Sequence, residues 1–257
     1  MSAGGSRDLH DGARTDARAG GPETTGGPET TGGAETTGSA GKNTATEPLT
    51  LALPKGRLLE QTQEFFERAG LGFDVERRRL VAEDREGGLR MMFVKNSDVP
   101  TYLHHGIAGL AICGEDVVYE SGHPFFRLLE MPYGGTRICL ATREDFAPER
   151  DTSGRMRVAT KFTRFTRDFF HRRGLPVEVI RLNGSVELAP ILGLAPYIVD
   201  LVETGSTLKA NNLVVREELA QIKVHLLANP AYYKYYFRQV DALVARLHAA
   251  MSDPDRQ

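Results

Sequence analysis

From Leu49 onward the chain alternates short apolar runs with amphipathic helical stretches, and this alternation limits the fold more than any other feature. Strands covered on both faces read as continuous apolar runs, and the helices between them carry the chain from one parallel strand to the next. The pattern therefore specifies α/β sheets rich in parallel strands. LTLALP (49–54) reads as the first buried strand. It is followed by LLEQTQEFFERAG, where Leu58, Leu59, Phe65, Phe66 and Ala69 share one helical face and Gly70 closes the helix. LRMMFVK (89–95), GLAICG (109–114) and TRICLATR (136–143) are further strands, and Asp98-Val99-Pro100 opens a short helix with an N-cap acid and a Pro in its first turn. The second half repeats the scheme with strands RMRVAT (155–160), VEVIRL (177–182) and YIVDLV (197–202), interleaved with helices FTRDFFHRRG, VELAPILGLA and STLKANNL. After a strand at IKVHLLAN (222–229), Tyr232, Tyr233, Tyr236, Phe237, Val240, Leu243, Val244 and Leu247 fall on one face of a long closing helix, expected to pack back on the first part of the fold.

Residues 1–47 break the pattern. They hold nine hydrophobic residues, seven of them Ala, against eleven of the chain's 27 Gly, and they write one hexapeptide three times, as GGPETT, GGPETT and GGAETT over 20–37. Such a segment buries too little apolar surface to offset the entropy of ordering it, so it reads as a disordered leader without chemistry. The rest carries 28 basic and 27 acidic residues, which supplies no overall basic field for nucleic acid. No apolar run approaches the ~18 residues that would span a bilayer, and the N-terminus lacks the apolar core of a signal peptide. A soluble, cytoplasmic protein without nucleic-acid or membrane partners is the expectation. Cys113 and Cys139 lie inside apolar strands and suit buried free thiols. No HxxxH, HExxH or paired Cys/His spacing points to a protein-held metal, and His104 and His105, ending a short helix, are favourable there without any catalytic role.

The chemistry concentrates where strands end. The strand at 197–202 delivers Asp200 and Glu203 at its carboxyl end, and Thr204-Gly205-Ser206-Thr207 then run into a helix start. In open α/β sheets ligands bind at that edge. Backbone N–H groups and the hydroxyls of Thr204, Ser206 and Thr207 can surround a phosphate, Gly205 lets the backbone approach closely, and an upstream carboxylate can accept from sugar hydroxyls. The segment reads as a site for a ribose 5-phosphate unit; the same four residues also serve as an ordinary helix cap. A second strand-to-helix turn, Leu53-Pro-Lys-Gly-Arg57, sets Lys55 and Arg57 beside a helix N-terminus, a pairing of cations that an anion would stabilise. Arg78, within the run Arg77-Arg78-Arg79, and Lys95, at the end of the second strand, are further cations. Each alone suits a solvated surface; converging on one cleft they would make a polyphosphate site.

The strings LALPKGRL, FVKNSDVPTYLHHG, RVATKF, LNGSVELAPILGLA and IVDLVETGSTLKANNL, in this order and spacing over residues 49–250, resemble ATP phosphoribosyltransferase. The resemblance implies an enzyme that joins N1 of the adenine of ATP to C1 of phosphoribosyl pyrophosphate, releasing pyrophosphate with Mg²⁺ present, as the first step of histidine biosynthesis. It implies a two-lobed fold like the type II periplasmic binding proteins, with the site in the interlobe cleft. The lobes would comprise residues 48–140 plus 225–257, and 141–224. By resemblance Thr204, Gly205, Ser206 and Thr207 take the 5-phosphate, Asp200 the ribose hydroxyls with Glu203 beside it, and Lys55, Arg57, Arg78 and Lys95 the polyphosphate groups. Glu187 in the NGSVE motif and Lys161 in ATKF are further substrate contacts, Lys161 equally suiting a solvated helix start. Mg²⁺ would arrive on pyrophosphate or ATP oxygens, since it needs few protein ligands when phosphates are present.

Gly109 and Pro196 stand where the family usually has Asp, and Ala111 where it has Gly. The loss of two acids is expected to alter how metal, ribose or nucleotide is held, which leaves room for a diverged phosphoribosyltransferase using another aromatic nitrogen. A non-catalytic bilobal binding module would share the fold. With about 210 residues after the leader, no further regulatory domain fits, so the chain resembles the short form of the enzyme. That form works in a hetero-octamer with a regulatory subunit related to histidyl-tRNA synthetase.

Overall fold

In a computed structural model the described residues are 47–76, 78–147 and 155–252; apart from residue 47 the repetitive leader lies outside them, as does Arg77. Two sheets carry the fold. The first is ordered β2-β3-β1-β4-β11-β5, with β1 Leu49–Pro54, β2 Val81–Glu83, β3 Leu89–Val94, β4 Leu110–Gly114, β5 Phe126–Glu130 and β11 Val224–Ala228. The second is ordered β10-β6-β9-β7-β8, with β6 Thr136–Arg143, β7 Met156–Thr160, β8 Val177–Arg181, β9 Tyr197–Val202 and β10 Leu213–Ile222. Three neighbouring strands in each sheet run parallel (β3-β1-β4 and β8-β7-β9), and antiparallel strands flank them.

Helices cover both faces of the first sheet. α1 (Arg57–Arg68) and α7 (Pro230–Met251) enclose a core of Leu51, Leu53, Phe65, Phe66, Met91, Ile112 and Leu226, while α2 (Val99–His104) covers Ala52, Ala111, Cys113 and Leu227 on the other side. In the second sheet α4 (Thr163–Arg172) packs Phe165, Phe169 and Phe170 on one face, and the short α5 (Leu188–Ile191) and α6 (Ser206–Ala210) cover Cys139, Ala159, Ile198 and Val202 on the other. Both cysteines are buried and unpaired. α3 (Glu115–Ser121) follows β4 directly and leads to β5 of the same sheet. Among the described residues no helix is long and apolar enough to cross a membrane.

Strand membership moves the expected lobe boundary. β6 pairs along its length with β9 and β10, so residues 136–140 belong to the second lobe, and the chain returns to the first at Val224. The apolar run TRICLATR gives no sign of which sheet it joins. The two crossings run side by side: Thr136 pairs with Ile222, and Met131 N–H donates to Val224 O at 2.8 Å.

Three local expectations also shift. Asp98 has helical backbone and no capping bond, because a 3₁₀ turn over Asn96–Asp98 already leads into α2. The helix expected over VELAPILGLA shrinks to four residues, and Gly193 turns the chain at φ +73°. STLKANNL ends at Ala210, because Leu213 opens β10. On α7, Asn229 accepts from the N–H of Ala231 and Tyr232 as a true N-cap. Val240, Leu243 and Leu247 are buried against the first lobe as expected, but the helix breaks at Tyr236 (φ −107°, ψ 24°) and Phe237 turns out to solvent.

Candidate active site

The carboxyl ends of the parallel strands carry most of the expected residues. Lys55 N–H donates to Val94 O at 2.9 Å, and the β1–β3 register continues from Pro54 opposite Val94, so Lys55 and Lys95 stand side by side. Gly56 then turns at φ +96°, a conformation that favours glycine, and Arg57 begins α1. On the second lobe, Lys161 follows β7, Asp200 lies near the end of β9 with Glu203 just beyond it, and Gly205, left-handed at φ +77°, opens α6.

Two contacts show that these edges face one another. Arg57 Nη1 of the first lobe donates to Glu203 Oε1 of the second. Glu120 of α3 accepts from the backbone N–H of Arg164 and Phe165 at the start of α4. The turn bearing Lys55 and Arg57 and the loop at 204–207 therefore face one cleft, with Arg57 held by the Glu203 carboxylate.

The second-lobe wall is a network. Lys161 Nζ lies 3.6 Å from Asp200 Oδ1 and 4.8 Å from the centre of the Phe162 ring. Burial pushes the Asp200 carboxyl above the usual carboxylate range, with Glu187 adding to the rise, while Lys161 and the Leu201 N–H pull it down. Asp200, Ile198 and Val202 alternate onto the face that the 186–195 segment covers, which is why Glu187 comes near Asp200. In the loop, Thr204 Oγ1 and Ser206 Oγ are 3.0 Å apart, and Thr204, Ser206 and Thr207 are exposed. Because α6 is only five residues long, its amides and hydroxyls matter more than any helix dipole.

Not every expected residue joins this group. Arg78 is exposed in the loop between α1 and β2 with left-handed backbone (φ +75°), and no contact among the described residues ties it to the cleft. Gly109 and Pro196 do not touch the site at all. Gly109 precedes β4 and Pro196 precedes β9, so both sit at the opposite ends of their sheets from the carboxyl edge. A Cβ at Gly109 would be driven into the ring of Tyr232, whose hydroxyl accepts from Thr50 N–H at 3.1 Å, while Gly109 N–H donates to Thr50 Oγ1 at 2.8 Å. The Tyr232 ring thus fills the space that a side chain at Gly109 would need. A cavity of about 640 Å³ lined by Arg143, Asp145, Ile191 and Asn212 holds none of the expected residues.

Sequence reasoning missed Asp116 and Glu120. Asp116 lies at the start of α3, is 5% exposed, and burial raises its carboxyl above the usual range, eased by the Val117 N–H and by Lys161 of the other lobe. The signal was available: Gly-Glu-Asp follows the carboxyl end of β4 just as Lys-Gly-Arg follows β1. Among the described residues no group of three or more His, Cys, Asp or Glu is placed to hold a metal ion. The donors facing the cleft are hard oxygens of Asp200 and Glu187, which suit a Mg²⁺ coordinated mainly by phosphate.

The sequence profile described as "HisG: ATP phosphoribosyltransferase" matches residues 95–249. A curated ATP phosphoribosyltransferase of Symbiobacterium thermophilum is 44% identical over 211 residues, covering 80% of this chain and 96% of that protein. Its namesake from Caldanaerobacter subterraneus subsp. tengcongensis is 38% identical, covering 79% and 98%. Among solved structures, the ATP phosphoribosyl transferase (HisG:HisZ) complex from Thermotoga maritima superposes with a TM-score of 0.69 at 36% identity, covering 79% of this chain and 98% of that one. The periplasmic aliphatic sulphonate binding protein SsuA from Escherichia coli (TM-score 0.53, 14% identity, 79% and 72% covered) shares the two-lobed fold alone.

Proposed function

The chain belongs to the ATP phosphoribosyltransferase family, and we propose that it performs the family's reaction, the first step of histidine biosynthesis, between the carboxyl edges of its two sheets. The observation that carries this reading is the Arg57–Glu203 contact, which closes the cation-bearing turn of one lobe onto the phosphate loop of the other.

As C1 of the ribose passes from pyrophosphate to N1 of adenine, positive charge grows on the sugar and negative charge on the leaving group. Positioning and fixed charges therefore suffice, without a side-chain nucleophile. Thr204, Ser206 and Thr207 offer hydroxyls, and the loop offers amides, to the 5-phosphate. Asp200, half-buried beside Lys161, accepts from the ribose hydroxyls and faces the developing positive charge. Lys55, Lys95 and Arg57 meet the polyphosphate groups, Arg57 exchanging Glu203 for phosphate oxygens through a two-pronged guanidinium contact. Glu187 borders the ribose, and Arg78 would reach the polyphosphate only by movement of its loop. Mg²⁺, carried in on phosphate oxygens and bordered by Asp200 and Glu187, would neutralise charge on the leaving pyrophosphate.

The Thermotoga structure is a HisG:HisZ complex, and this chain covers 98% of the chain it matches there. That supports a separate regulatory subunit here too, one related to histidyl-tRNA synthetase in a hetero-octamer, and a cytoplasmic location follows from the biosynthetic role. Incubating the full chain with phosphoribosyl pyrophosphate, ATP and Mg²⁺, alone and with such a subunit, should release pyrophosphate and yield N1-phosphoribosyl-ATP. Release with another base but not with ATP, or none under either condition, overturns the reading.

A further inference from the structure

α3 reaches out of the first lobe and bonds to the second at the start of α4. Of the amides in the first turn of α4, which have no acceptor within the helix, Phe165 N–H donates to Glu120 Oε1 at 2.7 Å and Arg164 N–H to Glu120 Oε2 at 3.1 Å. Phe162, at the cap position, makes no side-chain bond there. The cap of a second-lobe helix is thus supplied by the first lobe. Tyr119 reinforces it, donating to Asp168 Oδ2 at 2.7 Å and packing its ring edge-on to Phe165 with centroids 5.8 Å apart. Asp116 precedes Glu120 by one helical turn, so both carboxylates share the face of α3 turned toward lobe two.

What α4 carries at its start decides the meaning of this cap. Lys161 lies two residues before the helix, and the chain around it is held on both sides. Upstream, Thr160 Oγ1 donates to Val199 O at 2.6 Å and accepts from Phe162 N–H at 2.9 Å; downstream, Glu120 holds the first turn. We propose that Glu120 is a positioning residue: from the first lobe it fixes the start of α4 and thereby sets Lys161 beside Asp200, so that the ribose-phosphate half of the site is complete only when the lobes are engaged. Lys161 stays 3.6 Å from Asp200 under that restraint. The inference rests on the assignment of Lys161 and Asp200 to phosphoribosyl pyrophosphate.

The test measures pyrophosphate release by the full chain, with its regulatory subunit, while each substrate is varied in turn. Glu120→Ala should raise KM for phosphoribosyl pyrophosphate about tenfold and leave KM for ATP within about twofold. Glu120→Gln, which keeps an acceptor oxygen, should recover most of the loss. In the Lys161→Ala background, Glu120→Ala should add nothing, the mark of two residues acting through one interaction. Should Glu120→Ala not fold, Glu120→Asp, one methylene too short to reach both amides, should raise the same KM about fivefold. An unchanged KM for phosphoribosyl pyrophosphate, equal losses for both substrates without rescue by Gln, or additive losses in the double variant overturns the proposal. A Lys161→Ala variant with unaltered KM overturns both this proposal and the role of Lys161, while wild-type pyrophosphate release leaves the transferase reading standing.

Discussion

Arg57 and Glu203, 146 residues apart in the chain, form an ion pair between the lobes in which both side chains stay about half exposed. Solvent screens such a pair, so it contributes less than about 0.5 kcal/mol to stability. Arg57→Ala should melt within ~2 °C of the wild type, yet lose about 100-fold in kcat/KM, because a fixed guanidinium facing phosphate acts where charge develops. Differential scanning fluorimetry together with pyrophosphate release checks both halves; a large drop in melting temperature would make the pair structural instead.

Thr204 and Thr207 are exposed, and among the described residues the Thr204 hydroxyl bonds only within its own loop, donating to Ser206 Oγ and accepting from Ser206 N–H. Replacing both by Ala should weaken phosphoribosyl pyrophosphate binding, each removing a hydrogen bond to a charged group worth roughly 1.5–3 kcal/mol. Calorimetry with phosphoribosyl pyrophosphate and, separately, with ATP reads the effect. Unchanged affinity for the former shows the loop to be only a cap.

Restoring the family's acid at Gly109 should harm the protein. The Tyr232 ring fills the space of a side chain there, so Gly109→Asp overpacks the junction and costs about 1–3 kcal/mol, lowering the melting temperature by several degrees. Adding Tyr232→Ala should relieve part of that loss. KM for ATP in Gly109→Asp, measured below its melting point, should match the wild type, since the position is remote from the cleft.

Asp116 should shape stability against pH. Burial raises its carboxyl above the ordinary value of 3.8, so in the acid range the folded state binds this proton more readily than the unfolded chain does. Its contribution therefore favours folding below the ordinary value and is lost as pH rises through the folded value, leaving a penalty at neutral pH. Asp116→Asn should raise the melting temperature at pH 7 and narrow the gap to wild type as the pH approaches 4. Melting curves across pH 4–7 test this; a lower melting temperature at pH 7 would mean that Lys161 outweighs burial.

Much of this was legible in the sequence where one force dominates. The runs 49–54 and 197–202 are strands β1 and β9 to the residue, because both faces of each are covered and nothing competes with the apolar signal. The strand-to-helix turns at Thr204–Thr207 and Lys55–Arg57 were readable because glycine and charge cluster at strand ends. β5 and β10 were not, since their exposed, mixed faces and the two register shifts along β10 hide the period-two pattern. Nor could the sequence bring Tyr232 onto Gly109, or Glu120 to α4. Those relations arise between segments tens of residues apart, and local pattern carries no record of them.

The adjacency of the two crossings, at 131–135 and at Lys223, gives the second lobe the character of a cassette inserted in the first. Both of its seams lie next to each other in space, while β1 and α7, the first and last elements among the described residues, belong to the other lobe. A relative's residues spliced between these seams would bring in a complete sheet with its own loop at 204–207. Such a chimera would exchange one wall of the cleft and keep the wall bearing Lys55, Arg57 and Lys95, provided the incoming helix start accepts Glu120.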